Sequence, residues 1–111
     1  MGYEKTIMKE GTGKKPTPGA SVTVHCTGFG KNGDMGVKFW STHDTNEPFT
    51  FNVGLGQVIK AWDQGVMTMA IGEKAQIKCD ADFGYGAGGF PAWGIMPNSD
   101  LMFEIEVLSI N

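Results

Sequence analysis

Apolar and polar positions alternate through most of this chain. From Ser21 to Phe29, Val22, Val24 and Cys26 fall on one face and Thr23, His25 and Thr27 on the other, the period of a strand with one buried side. Glu73–Cys79 repeats the pattern, with Ala75, Ile77 and Cys79 against Lys74, Gln76 and Lys78. Leu101–Leu108 does so again, with Leu101, Phe103, Ile105 and Val107 inward and Glu104 and Glu106 outward. Tyr3–Met8 reads as an opening strand, and Val37–Thr42 and Pro48–Val53 as short aromatic strand pieces flanking a polar loop, His43–Glu47.

The period changes once. In Val58–Val66, Val58, Ile59, Trp62 and Val66 share one helical face, and Gly65 is expected to close the helix in the left-handed conformation. Two turns are marginal alone in water, so the strands must cover the apolar face. Gly11–Gly19 and Gly30–Gly36 read as turns, and Phe83–Ser99 as a Gly/Pro-rich loop long enough to suspect function. Strands of period 2 around one short helix predict an α+β fold, an antiparallel sheet with one face covered by that helix. Without repeated helices, no series of βαβ crossovers arises.

The length of 111 residues suits one domain, residues 1–111, and 41% hydrophobic with 19% charged residues argues against disorder. Net charge is −3 and all nine basic residues are lysines. Without arginine, and with no basic cluster beyond Lys14-Lys15, nucleic-acid binding is disfavoured. No apolar run approaches the roughly 20 residues of a membrane span, and neither a signal-peptide core nor a glycosylation sequon occurs. A cytoplasmic protein is expected. Met1-Gly2 followed by Thr6 fits the loose myristoylation string, inside a segment that also reads as a strand.

Most candidate motifs dissolve on inspection. GYGAGG at Gly84–Gly89 fits G-x-G-x-x-G, but Phe90-Pro91-Ala92-Trp93-Gly94 follows in place of a helix. Cys26 and Cys79 lack the spacing of a zinc site, and His25 and His43 do not supply it, so no metal is expected. His25 and Cys26 are strand neighbours facing opposite ways, which excludes a dyad within the strand. His25 is expected to be a buried histidine satisfied by a loop. Ser41, His43 and Asp44 come without an oxyanion-hole element, and Asp80 and Asp82 read as turn residues. What remains is aromatic: Phe39, Trp40, Phe49, Phe51, Trp62, Tyr85, Phe90, Trp93 and Phe103 come from separate segments. They suggest a concave apolar site, serving either a binding module or an enzyme without acid–base groups.

The strings VHCTGFGKNGD, KFWST, PFTFNVGLGQVIKAWDQGV and YGAGGFPAWGIMPNSDLMFEIEVL resemble the FKBP-type peptidyl-prolyl cis-trans isomerases, the macrolide-binding immunophilins, from end to end. The likeness is strongest to single-domain plant and algal members. It implies a five-stranded antiparallel sheet wrapped around one short helix. It places Trp62 on a pocket floor, with Phe39, Phe49, Val58, Ile59, Tyr85 and Phe103 as walls and a loop carrying Phe90 and Ile95 overhanging. Catalysis would fall to Phe39, Tyr85, Trp62 and Phe103. The Ile59 N–H and the Tyr85 hydroxyl would donate to ligand carbonyls. Cys26 and Trp40 stand where the animal-type pattern has a tyrosine and an aspartate that touch each other. The overhanging loop is one residue longer around Trp93-Gly94.

By the same resemblance the activity is rotation of X–Pro bonds in folding proteins, with no cofactor, metal, nucleophile or proton shuttle required. The implied partners are X-Pro peptides and proteins, and macrolides such as tacrolimus and rapamycin, bound by a monomer. The alternative is a ligand-dependent module that recruits a protein partner through the pocket rim, with incidental isomerase activity. The family fold would bring the strands of Cys26 and Cys79 close, so a redox-dependent disulfide is a further expectation, against two small buried hydrophobes.

Overall fold

The computed structural model describes residues 2–34 and 36–111. The Met1-Gly2 acylation string and Met35 of the Gly30–Gly36 turn therefore lie partly or wholly outside the described residues. The elements are β1 (Tyr3–Lys9), β2 (Ser21–Phe29), β3 (Lys38–Ser41), α1 (Thr42–Thr45), β4 (Phe49–Asn52), α2 (Lys60–Gly65), β5 (Lys74–Cys79) and β6 (Leu101–Ile110).

All strand pairings are antiparallel. The sheet order is β1-β5-β6-β2-β3, with β4 also paired to β2. β3 meets β2 at Thr27–Phe29 and β4 meets it at Ser21–Val24. The two short strands thus share one edge position, interrupted by α1, and five positions in the sheet hold six strands. This is the expected FKBP-like architecture.

The alternation read from the sequence becomes the core. Val22, Val24 and Cys26 of β2, Ala75, Ile77 and Cys79 of β5, and Leu101, Phe103, Ile105 and Val107 of β6 are all buried. Ala61, Trp62 and Gly65 of α2 cover them, followed by Val66.

Gly65 differs from expectation. Its φ of −68° and ψ of −46° are right-handed, and the chain runs on into a 3₁₀ turn, Val66–Thr68. The reason for glycine is proximity: a Cβ there would stand 2.7 Å from Ile77 Cδ1, so the missing side chain lets α2 lie directly on β5.

The loop expected over His43–Glu47 begins instead as the single helical turn α1. Ser41 caps it, its hydroxyl accepting the His43 N–H at 3.2 Å, and Asn46 ends it in the left-handed region. The buried Thr42 hydroxyl lies 2.9 Å from the Cys26 N–H and 2.8 Å from His25 Nδ1, which pins α1 to β2. His25 is thus satisfied by this helical turn in place of the expected loop, and it is half-buried where a buried residue was expected; its ring stacks on His43 at 4.5 Å. Ser41 Oγ also contacts Thr27 Oγ1 at 2.9 Å, and Asp44 pairs with Lys38. Both are bound in structural roles.

The expected disulfide is overturned. Cys26 and Cys79 are free and buried, and β6 lies between their strands. Two strand spacings separate them by about 10 Å. Cys26 pairs with Ile105 and Cys79 with Leu101, which adds about 13 Å along the strands. A disulfide needs Cα atoms within about 7 Å. Both cysteines are small buried hydrophobes.

Candidate functional site

Between α2, the sheet and the loops that overhang it lies a cavity of about 450 Å³. Trp40, Phe49, Gln57, Val58, Ile59, Trp62, Tyr85, Trp93 and Phe103 line it, and none carries a charge. Trp62 is the floor. Its first-turn position on α2 turns the indole toward the sheet, where Phe103 of β6 meets it edge-on at 5.5 Å and Phe49 of β4 at 5.9 Å. Phe51 packs at 5.6 Å and Trp40 at 6.0 Å. Edge-to-face contacts of this kind fix ring orientation as well as bury area. The floor is therefore built before any ligand arrives. The Trp62 indole N–H is buried with no oxygen or nitrogen acceptor among the described residues; aromatic rings surround it.

The rim at Gln57–Ile59 is set by α2 itself. Ile59 is the N-cap residue, its carbonyl accepting from Trp62 and Asp63 at 3.0 and 3.1 Å. Its own N–H precedes the helical ladder, among the amides a helix start leaves for other partners. Asp63 reaches back to the preceding loop, where its two carboxylate oxygens accept the Gly54 and Gly56 N–H groups at 3.0 and 2.8 Å. Gln57 Oε1 accepts the Asn52 N–H at 3.0 Å. Glycine at 54 and 56 serves this turn through φ values of 81° and 75°.

On the opposite side, Tyr85 stacks on Phe90 at 5.3 Å. Burial, and then the neighbouring Cys79, raise the Tyr85 pKa above its ordinary value, so its hydroxyl stays protonated and able to donate. Trp93 comes from a hairpin closed by backbone bonds between Phe90 and Ile95 in both directions, at 2.9 and 3.1 Å. Ile95 anchors that hairpin in the core with 2% exposure.

Of the residues expected at the site, Trp40, Phe49, Val58, Ile59, Trp62, Tyr85 and Phe103 line the cavity. Four do not. Phe39 stands one ring back, against Trp93 at 5.7 Å and edge-on to Phe103 at 5.9 Å. Cys26 belongs to the core layer of β2, Ile95 is the buried anchor just described, and Phe90 is exposed at the rim. Gln57 was not foreseen, and Asp63, which shapes the rim, gave no signal beyond being an acid in the first turn of a helix.

Fold and cavity together define a class: a sheet wrapped around one short helix, with an aromatic, uncharged pocket between them. The N-terminal domain of FKBP42 from Arabidopsis thaliana has this architecture, superposing with a TM-score of 0.90 over 99% of this chain and 87% of that one at 28% identity. A family model described as FKBP-type peptidyl-prolyl cis-trans isomerase matches residues 12–108. Proteins named peptidyl-prolyl cis-trans isomerase FKBP12 are 62% identical in Arabidopsis thaliana, over 99% of both chains, and 62% identical in Vicia faba, over 97% of both. FK506-binding protein 1 of Dictyostelium discoideum is 46% identical over 98% of both. The chain belongs to the FKBP-type peptidyl-prolyl cis-trans isomerase family.

Proposed function

We propose that the cavity catalyses rotation about X–Pro bonds by receiving the proline on Trp62 and stripping water from the amide. Rotation costs roughly 18–20 kcal/mol because resonance gives the C–N bond double-bond character. The planar ground state carries charge separation that water stabilises, and the twisted amide carries less. Uncharged walls therefore penalise the ground state more than the transition state. The observation that carries this reading is the lining: six aromatic rings, two aliphatic side chains and one amide around a preformed floor. In this reading the Ile59 N–H and the Tyr85 hydroxyl hold the carbonyls that flank the rotating bond. Phe103 fixes the floor ring, and Phe39 acts from behind it by holding Phe103 and Trp93.

The relatives named for FK506 binding support the same pocket as a site for macrolides of the tacrolimus and rapamycin type. Leu55, Phe90 and Met96 are exposed at 59%, 37% and 50%. The first two flank the cavity segments, and a bound drug together with this rim would present a composite surface to a protein partner. One continuous core among the described residues supports residues 1–111 acting as a single domain, which this reading takes to be a monomer. Two buried free thiols suit a reducing cytoplasm.

The test is a protease-coupled isomerisation assay on a Leu-Pro or Phe-Pro peptide. Uncatalysed conversion takes about 10–100 s, and micromolar protein is expected to accelerate it without added metal or nucleotide. An unchanged rate would end the isomerase reading.

A further inference from the structure

Among the described residues that line the cavity, Gln57 carries the one amide. That amide is held at one end. Its Oε1 accepts the Asn52 N–H at 3.0 Å. Only the oxygen of an amide can meet a backbone N–H, so the two ends are not interchangeable. Asn52 is itself fixed at the end of β4, where it pairs with Ser21 and its side chain donates to the Gly19 carbonyl at 3.2 Å. The backbone before Gln57 is held too, through the Gly56 N–H on Asp63. The Nε2 of Gln57 is left as the free end, and among the described residues it meets no acceptor. An anchored donor with no protein partner therefore stands exposed at the mouth of the cavity.

Building on the isomerase reading, we infer that Gln57 is a specificity-determining residue: its Nε2–H donates to the backbone carbonyl of the residue after the proline. The site thereby reads one peptide unit beyond X–Pro. During rotation the proline's own carbonyl stays with the ring seated on Trp62. It suits a donor that does not move, and the Ile59 N–H is fixed by the start of α2. The carbonyl before the bond swings as the bond turns, and suits the Tyr85 hydroxyl, whose O–H can follow it. The chain after the proline then leaves along the Ile59 side, where Gln57 stands two residues upstream on the same rim. Every peptide has a carbonyl there, whatever its side chain. A nitrogen that only donates thus favours extended chain over a bare X–Pro unit without selecting the next residue.

Two blocked peptides isolate that carbonyl. Acetyl-Phe-Pro-methylamide ends at the proline, and acetyl-Phe-Pro-Ala-methylamide adds one peptide unit with a minimal side chain. Exchange NMR reads their isomerisation without a coupling protease. Wild type is expected to favour the longer peptide by about threefold to tenfold in kcat/KM, the worth of one hydrogen bond, chiefly through KM. Gln57→Glu keeps an oxygen for the Asn52 N–H and replaces the donor with a second acceptor. It should erase the preference by raising KM for the longer peptide, with kcat and the shorter peptide nearly unchanged. Gln57→Ala loses the anchor as well and should erase the preference too. A preference retained in Gln57→Glu, or lost only in Gln57→Ala, would place the role of Gln57 in its bond to Asn52 and overturn the inference. An equal loss on both peptides does the same, as does a wild type indifferent to length. A wild type that accelerates neither peptide overturns the isomerase reading itself.

Discussion

Asp63 holds Gly56 by its backbone, one carboxylate oxygen accepting that N–H at 2.8 Å while the other accepts Gly54 at 3.0 Å. One side chain of the helix that carries the pocket floor thereby fixes the loop leading into Gln57, Val58 and Ile59. Floor and rim cannot shift independently while that clamp holds. Asp63→Ala should cost about 1–2 kcal/mol of stability and raise KM for X-Pro peptides several-fold with a smaller change in kcat. Urea denaturation and steady-state kinetics check both, and an unaltered KM would show that the loop holds its place without the clamp.

Tyr85 is expected to act through its hydroxyl. Tyr85→Phe keeps the stack on Phe90 and removes one donor worth about 0.5–1.5 kcal/mol. kcat/KM should fall by about threefold to tenfold with little change in melting temperature. Activity equal to wild type would remove the hydroxyl from the mechanism.

By the family resemblance, Trp40 stands where the animal-type pattern has an aspartate, and Cys26 where it has the tyrosine beside it. Trp40 lines the cavity but offers no carboxylate to a macrolide hydroxyl. Calorimetry with tacrolimus should give tighter binding for the Trp40→Asp, Cys26→Tyr double variant than for wild type, by about tenfold or less. The burial of Cys26 adds a condition: the new tyrosine must fit a core position with 1% exposure, so the single Trp40→Asp variant is measured beside it. Equal affinity in all three proteins would mean that the polar pair has no bearing on this site.

Lys5 and Glu73 form an ion pair at 2.7 Å, with side-chain exposures of 15% and 5%. Lys5 also donates to the Thr68 carbonyl, and Glu73 accepts the Ala70 N–H. Lys5→Met leaves a buried carboxylate without its cation and should destabilise by about 3 kcal/mol. Pairing it with Glu73→Gln should recover part of that loss. A double variant no more stable than Lys5→Met would place the cost in packing.

Burial raises the Cys26 thiol from 9.0 to about 12. Cys79 rises equally, mainly through burial, with the Asp80 and Asp100 carboxylates adding to the rise and a Leu101 backbone hydrogen bond opposing it. The unfolded chain gives up these protons first, so the stabilisation is complete below about pH 9 and is lost as pH climbs toward 12. Denaturation midpoints should fall over that window, and fall less in a Cys26→Ala, Cys79→Ala variant. At neutral pH the native thiols should react with a disulfide reagent far more slowly than in urea; rapid native labelling would contradict their burial.

The sheet was legible because its strands have one wet and one dry face. Val22, Val24 and Cys26, and Leu101 through Val107, could be sorted by parity alone. The pocket was legible as a class because so many rings from separate segments exceed what a small core absorbs. Three things were not. The true start of α2 lies at Lys60, since Ile59 belongs to the apolar stripe yet adopts an extended ψ of 155°, and hydrophobic spacing does not record backbone angle. The reason for Gly65 is a contact with Ile77, a residue twelve positions away that the packing of α2 on β5 brings near. The separation of Cys26 from Cys79 depends on β6 passing between their strands, and chain order does not reveal which strand an edge will accept.

The insertion of β6 also constrains how the molecule can be made. β1 and β5 pair with each other, and β3 and β4 pair with β2, but only β6 joins those two groups. It is the last strand among the described residues. As the polypeptide leaves the ribosome, the two halves can form locally while each keeps a raw edge and an uncovered apolar face. α2 packs on both groups, but no strand pairing unites them until residues 101–110 are in place. Closure of the sheet, and with it the seating of Phe103 beneath the Trp62 ring, therefore waits on residues 101–110, so the pocket floor is completed by a strand that follows every other element of the site in sequence.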